Sequence, residues 1–540
     1  MKKPVAGVSM RRLGAAVASG GTVMAIALHV EFGQNAGALW RDEVSSFNVA
    51  TMPTLGELWA NLGFDSFPAL FFVVLRTFAD VLAPVSDGAL RAFGVAIGLL
   101  VLAAVWLNAR WLRCGFPLIS LALIAFNPMV IRYGDSIRAY GLGIVLVLLC
   151  VGTMWRFAEK ASAGRGLAAL ITAVLSVHCL YYNAFLLLAI CAGATAVCVR
   201  RRAYRHALAI IGIGGISAVS LLVYLPTIRK VGSTNFFWKV DFTAGMFWTT
   251  LADALGSTRS AGPWMWALLF IGAGIGGAWC LVRHRAVDRD LLLYGFVTLL
   301  IGMTVYVAFL FHLSYMTRPW YFVAFIAFAA TCIDAIIAAL PWRPWALRSA
   351  CALLFIAVSV KPTWSALQAR QTNLDAVAEH LKTNARASDL ILVNTWNYEL
   401  TLRRYYDGPA QITGIPPISD VRTQRVDLVY EQMLAQAPIA PVLQQIEQTL
   451  RAGHTVWLVG TVAFVEPGRA PIPQPAPNEA AARSGAFFRA WSEQTAFLFQ
   501  RHAAELVRTR VPIAEPVIQY ENIPLSAIRG WRDGGDLAIR

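Results

Sequence analysis

Two adjacent carboxylates, Asp42 and Glu43, stand in the stretch Leu39–Met52 (LWRDEVSSFNVATM), just after an apolar run over residues 13–31. If that run crosses a bilayer, the acidic pair sits at the water boundary. A carboxylate at headgroup level is partly desolvated and therefore more basic than one in bulk water. That suits it to take a proton from an attacking hydroxyl. A second reading needs no chemistry: Arg41 and Asp42 stop the helix and anchor it at the headgroups, with Glu43 a first-turn charge for a following helix. Other titratable and aromatic residues recur in similar settings. They are Asp65, the run Arg132-Tyr133-Gly134-Asp135-Ser136-Ile137-Arg138, the cluster His178-Tyr181-Tyr182, and Arg318.

The elements that position these residues follow from composition. The chain has 540 residues, 57% of them hydrophobic and 14% charged, with a mean hydropathy of +0.56. Soluble domains carry roughly 25% charged residues, so this is a polytopic membrane protein. The net charge of +15 is confined to short clusters between apolar runs, which fits cytoplasmic loops rather than a nucleic-acid surface. No nucleic-acid motif is present. The eight cysteines all precede residue 352 and have neither metal-ligand nor disulfide-framework spacing. The N-terminus (MKK…MRR, then an apolar run to Val30) has the outline of a signal peptide. The expectation is nonetheless an uncleaved first helix whose start is held in the cytoplasm by Lys2, Lys3, Arg11 and Arg12.

Runs of span length lie near 13–31, 90–109, 116–132, 137–155, 166–180, 183–199, 207–226, 262–282, 290–312, 318–340 and 346–361. The run 67–84 is ambiguous, and charge decides it. With Met1 inside and 67–84 not crossing, the inside loops are N-A-R-W-L-R-C, R-F-A-E-K-A-S-A-G-R, V-R-R-R-A-Y-R-H, R-H-R-A-V-D-R-D and P-W-R-P-W-A-L-R, all basic. If 67–84 crossed, every one would move outside, against the positive-inside rule. The expectation is eleven spans, with 67–84 a juxtamembrane helix on the outer face and the C-terminus outside. Residues 32–66, 132–138, 178–183, 227–261 and 312–318 then share the outer side, while the span middles are almost bare of charge. A membrane-surface enzyme fits that distribution better than an ion pathway.

Composition changes after Pro362. Residues 1–361 read as a transmembrane catalytic domain and 362–540 as a soluble α/β domain. Strands are expected at Asp389–Asn394 and His454–Gly460, and helices near 373–385, 397–406, 440–452 and 479–506. Asn394, Trp396 and Asn397 end the first strand, as a turn or as an acceptor contact.

In order and context these residues resemble the integral-membrane glycosyltransferases of the GT-C class, in the bacterial branch related to protein O-mannosyltransferases and to transferases that decorate lipopolysaccharide. The resemblance covers roughly residues 15–360. It rests on Asp42-Glu43 outside the first span and on the proline-started segment Ser66-Phe67-Pro68-Ala69-Leu70. Here the family's usual His-Pro-Pro-Leu lacks its histidine and one proline. Further elements are Leu90-Arg91-Ala92-Phe93, Arg138-Ala139-Tyr140, and the cluster of His178, Tyr181 and Tyr182. The resemblance implies a polyprenyl-phosphate-linked sugar donor, a periplasm-facing site in the bacterial inner membrane, and inverting transfer to a glycan, lipid or protein acceptor. On that basis Asp42 is the expected base, with Glu43 behind it. Arg138 is first and Arg318 second as clamps on the leaving phosphate, because a guanidinium fork pairs with two oxygens and stays charged. Tyr140 belongs to the same donor-side motif. Asp65, His178, Tyr181 and Tyr182 are substrate-side candidates. Against these, Asp65 reads equally as the cap of the Pro68 helix, Arg138 as a headgroup anchor, and the His/Tyr cluster as an interfacial aromatic belt. No metal-ligand spacing is present, and no cofactor is expected, a divalent ion being the alternative. Two other functions stay open: a lipid-linked-saccharide transporter or flippase, and an O-antigen polymerase or ligase with a pyrophosphate-linked donor.

Overall fold

A computed structural model describes residues 5–232, 240, 242–256, 261–283, 288–341, 344–480, 484–534 and 537–539. Lys2 and Lys3, and parts of the loops 227–261, 283–290 and 341–348, lie outside the described residues. The chain divides into two compact units. One comprises Met1–Asn35, Phe67–Pro226 and Lys239–Gln368; the other comprises Ala36–Ser66, Thr227–Trp238 and Ala369–Arg540. The first outer loop, with its acidic pair, thus folds with the C-terminal segment. The last helix of the first unit runs through Pro362 to Leu367.

The first unit is helical. Among the described residues, nine helices are long and apolar enough to cross a membrane: Arg11–Asn35, Asp87–Trp111, Tyr140–Glu159, Asn183–Arg200, Tyr204–Gly232, Gly262–Arg283, Arg289–Leu313, Pro319–Ala338 and Trp345–Leu367. At 1.5 Å per residue, an 18-residue helix reaches about 27 Å, close to the hydrocarbon thickness. The protein is a multi-pass membrane protein.

Two of the eleven expected spans differ. Ala163–Cys179 is a shorter apolar helix of 17 residues. The run 116–132 is broken into Ile119–Ala125 and Pro128–Gly134. Pro128 has no N–H to continue the first helix. Asn127 then caps the second, accepting from Met129 N (2.8 Å) and Val130 N (3.1 Å). The ambiguous run 67–84 forms Ala69–Val81, whose 13 residues reach only about 20 Å.

Buried ionisable pairs lie toward the ends of the helices. His29, in the first long helix, lies 2.7 Å from Asp135, and both are buried. Asp334 accepts from Arg348 Nε at 2.8 Å and from Ser120 Oγ at 2.8 Å, while Arg348 also donates to the carbonyls of Cys114 and Phe116. Both oxygens of that carboxylate are engaged, as a charge in a dry interior requires.

The second unit is built on a six-stranded sheet. Its strands are β1 (Leu390–Asn394), β2 (Gln411–Gly414), β3 (Val456–Gly460), β4 (Ala503–Thr509), β5 (Leu525–Trp531) and β6 (Ala538–Ile539), in the order β2-β1-β3-β5-β4-β6. β1 pairs in parallel with β2 and β3; β5 is antiparallel to β3 and β4. LILVN and VWLVG are buried throughout, as expected of parallel strands covered on both faces. The expected strands and helices are present, with Ser484–His502 giving way to β4 where helix was expected as far as residue 506.

Candidate functional site

In the second unit, the acidic stretch forms the helix Arg41–Ala50. Its start is built by Glu43. The Glu43 carboxylate turns back to accept the Trp40 backbone N–H at 3.3 Å, a reach from the third helical position that satisfies an otherwise orphaned donor. Glu43 is fully buried in doing so. Asp42 differs: its side chain is 17% exposed. It accepts a hydrogen bond from Gln424 Nε2 at 2.7 Å, and Arg41 Nε lies 3.7 Å away. The first-turn role read for Glu43 is therefore met, leaving Asp42 as the member of the acidic pair that reaches solvent.

One turn on from Asp42, Ser46 donates to Asp65. Residues four apart share a helix face, so Asp42 and the Ser46–Asp65 pair lie along one side of this helix. Asp65 is buried. It does not cap the helix Ala69–Val81, whose first position is preceded by Pro68 with no side-chain cap. Arg41 is fixed from several directions. Its guanidinium lies over Trp40 (5.6 Å) and Tyr398 (5.5 Å), and Nη1 donates to the Glu521 carboxylate. Burial pushes the Glu521 carboxyl up to about 7; Arg41 pulls against that rise and Asp42 adds to it.

In the first unit, the Arg132–Arg138 segment holds the second set of candidates. Backbone packs tightly here. A Cβ at Gly94 would meet the Asp135 carbonyl oxygen at 1.9 Å, and one at Gly98 would meet Asp135 Oδ1 at 2.1 Å and His29 Nδ1 at 2.5 Å. Those glycines admit the segment, and the His29–Asp135 contact fixes it. Arg138 is buried, with its guanidinium 4.5 Å from the Phe67 ring centre. Phe67 meets Tyr140 edge-on at 5.2 Å, and Tyr133 lies 6.4 Å from Tyr140 and 4.9 Å from Trp320. An arginine on an aromatic face keeps its charge and its planar fork.

Tyr182 packs on Tyr321 (5.7 Å) and Phe309 (5.6 Å). His178 is bonded to Tyr224 (2.9 Å) and Ser220 (3.0 Å), and the Tyr224 hydroxyl also takes the Ala69 N–H at 3.2 Å. Tyr181 meets Tyr224 edge-on at 5.8 Å. His178 therefore helps to place the start of the Ala69–Val81 helix. Arg318 is exposed, before the turn Pro319–Phe322. The predicted residues thus fall in two sets: Asp42, Glu43 and Asp65 in one unit, and Arg138, Tyr140, His178, Tyr181, Tyr182 and Arg318 in the other. No group of three or more metal-ligating side chains occurs among the described residues.

Sequence reasoning missed Ser46, Gln424, Glu521 and His29. Ser46 was legible from its helical spacing to Asp42, and His29 as a lone ionisable residue in a span. Gln424 and Glu521 carry no local signal, because only the tertiary fold brings them to Arg41 and Asp42.

The fold is that of the GT-C integral-membrane glycosyltransferases. ArnT from Cupriavidus metallidurans in the apo state matches over 94% of this chain and 98% of its own, with a TM-score of 0.50 and 12% identity. The same protein bound to undecaprenyl phosphate has the same coverage, with a TM-score of 0.46 and 13% identity. The Archaeoglobus fulgidus oligosaccharyltransferase, in a complex with Zn and sulfate, covers 94% of this chain and 73% of its own, with a TM-score of 0.48 and 11% identity. No family model matches the sequence, and no curated protein matches it.

Proposed function

We propose that this chain is an inverting glycosyltransferase of the bacterial inner membrane, moving a sugar from a polyprenyl-phosphate donor to a glycan, lipid or protein acceptor at the periplasmic face. The observation that carries this reading is the division of labour among Asp42, Glu43 and Asp65. Glu43 is spent on the helix start and Asp65 on Ser46, while Asp42 reaches solvent. In the proposed step the acceptor hydroxyl oxygen attacks the anomeric carbon and gives its proton to Asp42. The bond from that carbon to the phosphate oxygen breaks, and its electron pair leaves with the lipid phosphate. Arg138, charged and set on Phe67, is the proposed clamp for that phosphate. Arg318 is the alternative. Tyr140 is a donor-side contact, and His178, Tyr181 and Tyr182 are substrate-side contacts. No metal is assigned a role. The donor class rests on the motif resemblance together with the fold shared with ArnT. The basic loops opposite Asp42 support the periplasmic orientation.

A transporter is favoured by one observation, the ionisable pairs His29–Asp135 and Asp334–Arg348 inside the helical unit. Asp334–Arg348 is internally satisfied, as a packing pair would be, and the His29–Asp135 pair anchors the Arg138 segment. The test is turnover by purified protein in nanodiscs, given undecaprenyl phosphate carrying glucose, mannose or galactose. Release of undecaprenyl phosphate with formation of a transfer or hydrolysis product supports the enzyme. Movement of intact donor across a vesicle membrane without release supports the transporter.

A further inference from the structure

Resting on the reading of Asp42 as the base, we propose that Glu521 is a positioning residue that acts through Arg41 to set the basicity of Asp42. The geometry is that of one cation shared by two carboxylates. Arg41 Nη1 donates to Glu521 Oε1, and Arg41 Nε lies 3.7 Å from Asp42 Oδ1. Arg41 is further held by the Trp40 and Tyr398 rings, whose centres lie 5.6 Å and 5.5 Å from its guanidinium. Glu521 is fully buried, on the turn Gln519–Glu521. A buried carboxylate is costly unless paired, and Arg41 is the cation it pairs with.

The groups facing this pair can be named from every side. Arg41 and Asp42 come from the helix Arg41–Ala50, Tyr398 from the helix Tyr398–Tyr405, Thr372 from the segment before the helix Leu374–Asn384, and Tyr520 from the turn itself. Gln424 is neutral and contacts Asp42. Arg41 is the one cation of this set.

Two states of Glu521 then give two states of Asp42. With Glu521 protonated, Arg41 is committed more fully to Asp42, which is stabilised as the anion and is a weaker base. With Glu521 ionised, the cation is shared, a second negative charge faces Asp42, and the base is stronger. The Glu521 carboxyl, held up to about 7 chiefly by burial, changes state across neutral pH. The C-terminal segment thereby supplies a charge that tunes the chemistry of a residue nearly 480 positions earlier.

The test is the pH profile of kcat/KM for undecaprenyl phosphate release from the undecaprenyl-phosphate hexoses above, in the wild type, Glu521→Gln and Asp42→Asn. Glutamine keeps an oxygen for Arg41 and removes the charge. For E521Q the inference predicts an acid limb displaced about one unit lower, loss of any second inflection near neutrality, and a plateau reduced roughly threefold, about half of a one-unit change in basicity reaching the rate. An E521Q profile that differs from the wild type only in height, with unmoved inflections, marks Glu521 as a structural contact and overturns the inference. A donor-free readout separates this from the parent reading. In infrared titration of protein carrying 13C-labelled aspartate, the carboxylate band that D42N removes should titrate about one unit lower in E521Q; no displacement overturns the inference. D42N with undiminished turnover overturns the assignment of the base, whatever the band does. If E521Q does not fold, Glu521→Asp keeps the charge and should retain a two-step profile; a single-step profile there counts against the inference.

Discussion

Glu521 also makes a prediction about stability that needs no substrate. Its carboxyl is raised from the ordinary 4.5 to about 7, chiefly by burial. The folded form therefore holds a proton between those values that the unfolded chain has released. Stability from this group is fully present below about 4.5 and is lost as pH rises through about 7. A difference of about 2.5 units corresponds to about 3 kcal/mol. For a unit of roughly 200 residues, that is a fall of about 6–12 °C in apparent Tm between pH 4.5 and pH 8. Other titrating groups add their own slopes, so the quantity to read is the difference between wild type and Glu521→Gln, in which most of them cancel. The assay is tryptophan-fluorescence melting of the full chain in detergent across that range. The wild type should lose stability relative to E521Q as pH rises, and the gap should change by about 3 kcal/mol over the window. A gap that is the same at pH 4.5 and pH 8 refutes the burial-driven rise of the Glu521 carboxyl.

Three further outcomes follow from the geometry. Ser46→Ala removes the hydroxyl that Asp65 accepts from; it should destabilise the protein by about 1–3 kcal/mol, read by melting, since it takes a hydrogen bond from a buried carboxylate. Gly98→Ala places a methyl 2.1 Å from Asp135 Oδ1 and 2.5 Å from His29 Nδ1, so overpacking should cost about 1–3 kcal/mol; an unchanged Tm would refute that packing. Arg138→Lys keeps the charge but loses the planar fork set on Phe67. Transfer should fall by about 10²-fold or more, and a rate within twofold of wild type would remove Arg138 as the clamp.

Much of the fold was legible because the bilayer imposes a coarse rule. Apolar runs of span length gave the helical unit, and the run 67–84, which loop charge set apart from the spans, forms a 13-residue helix that reaches about 20 Å. The break at Asn127-Pro128 was present in the sequence as a turn signal, but the surrounding hydropathy masked it. In the C-terminal segment, LILVN and VWLVG announced themselves as continuous buried runs. β4 and β5 did not, since AAELVRT and LSAIRGW mix polar and apolar residues according to neighbours that lie far off in sequence. The site shows the same division. The position of Glu43 fitted a helix start, while the helical spacing of Ser46 to Asp42 was present in the sequence but went unread. That Glu43 would be consumed by that start, and that Gln424 and Glu521 would arrive at Asp42 and Arg41, depends on tertiary contacts between segments some 380 and 480 residues apart.

The most direct measurement of the central claim is turnover of undecaprenyl-phosphate hexoses by purified wild type, Asp42→Asn and Glu43→Gln side by side, with the melting curve of each recorded. The account predicts a kcat/KM lowered by about 10²–10⁴ in D42N with its fold retained. For E43Q it predicts a loss of about 1 kcal/mol of stability from the weakened helix start, with transfer largely kept. Full transfer by D42N, or loss of transfer in E43Q with D42N active, contradicts it.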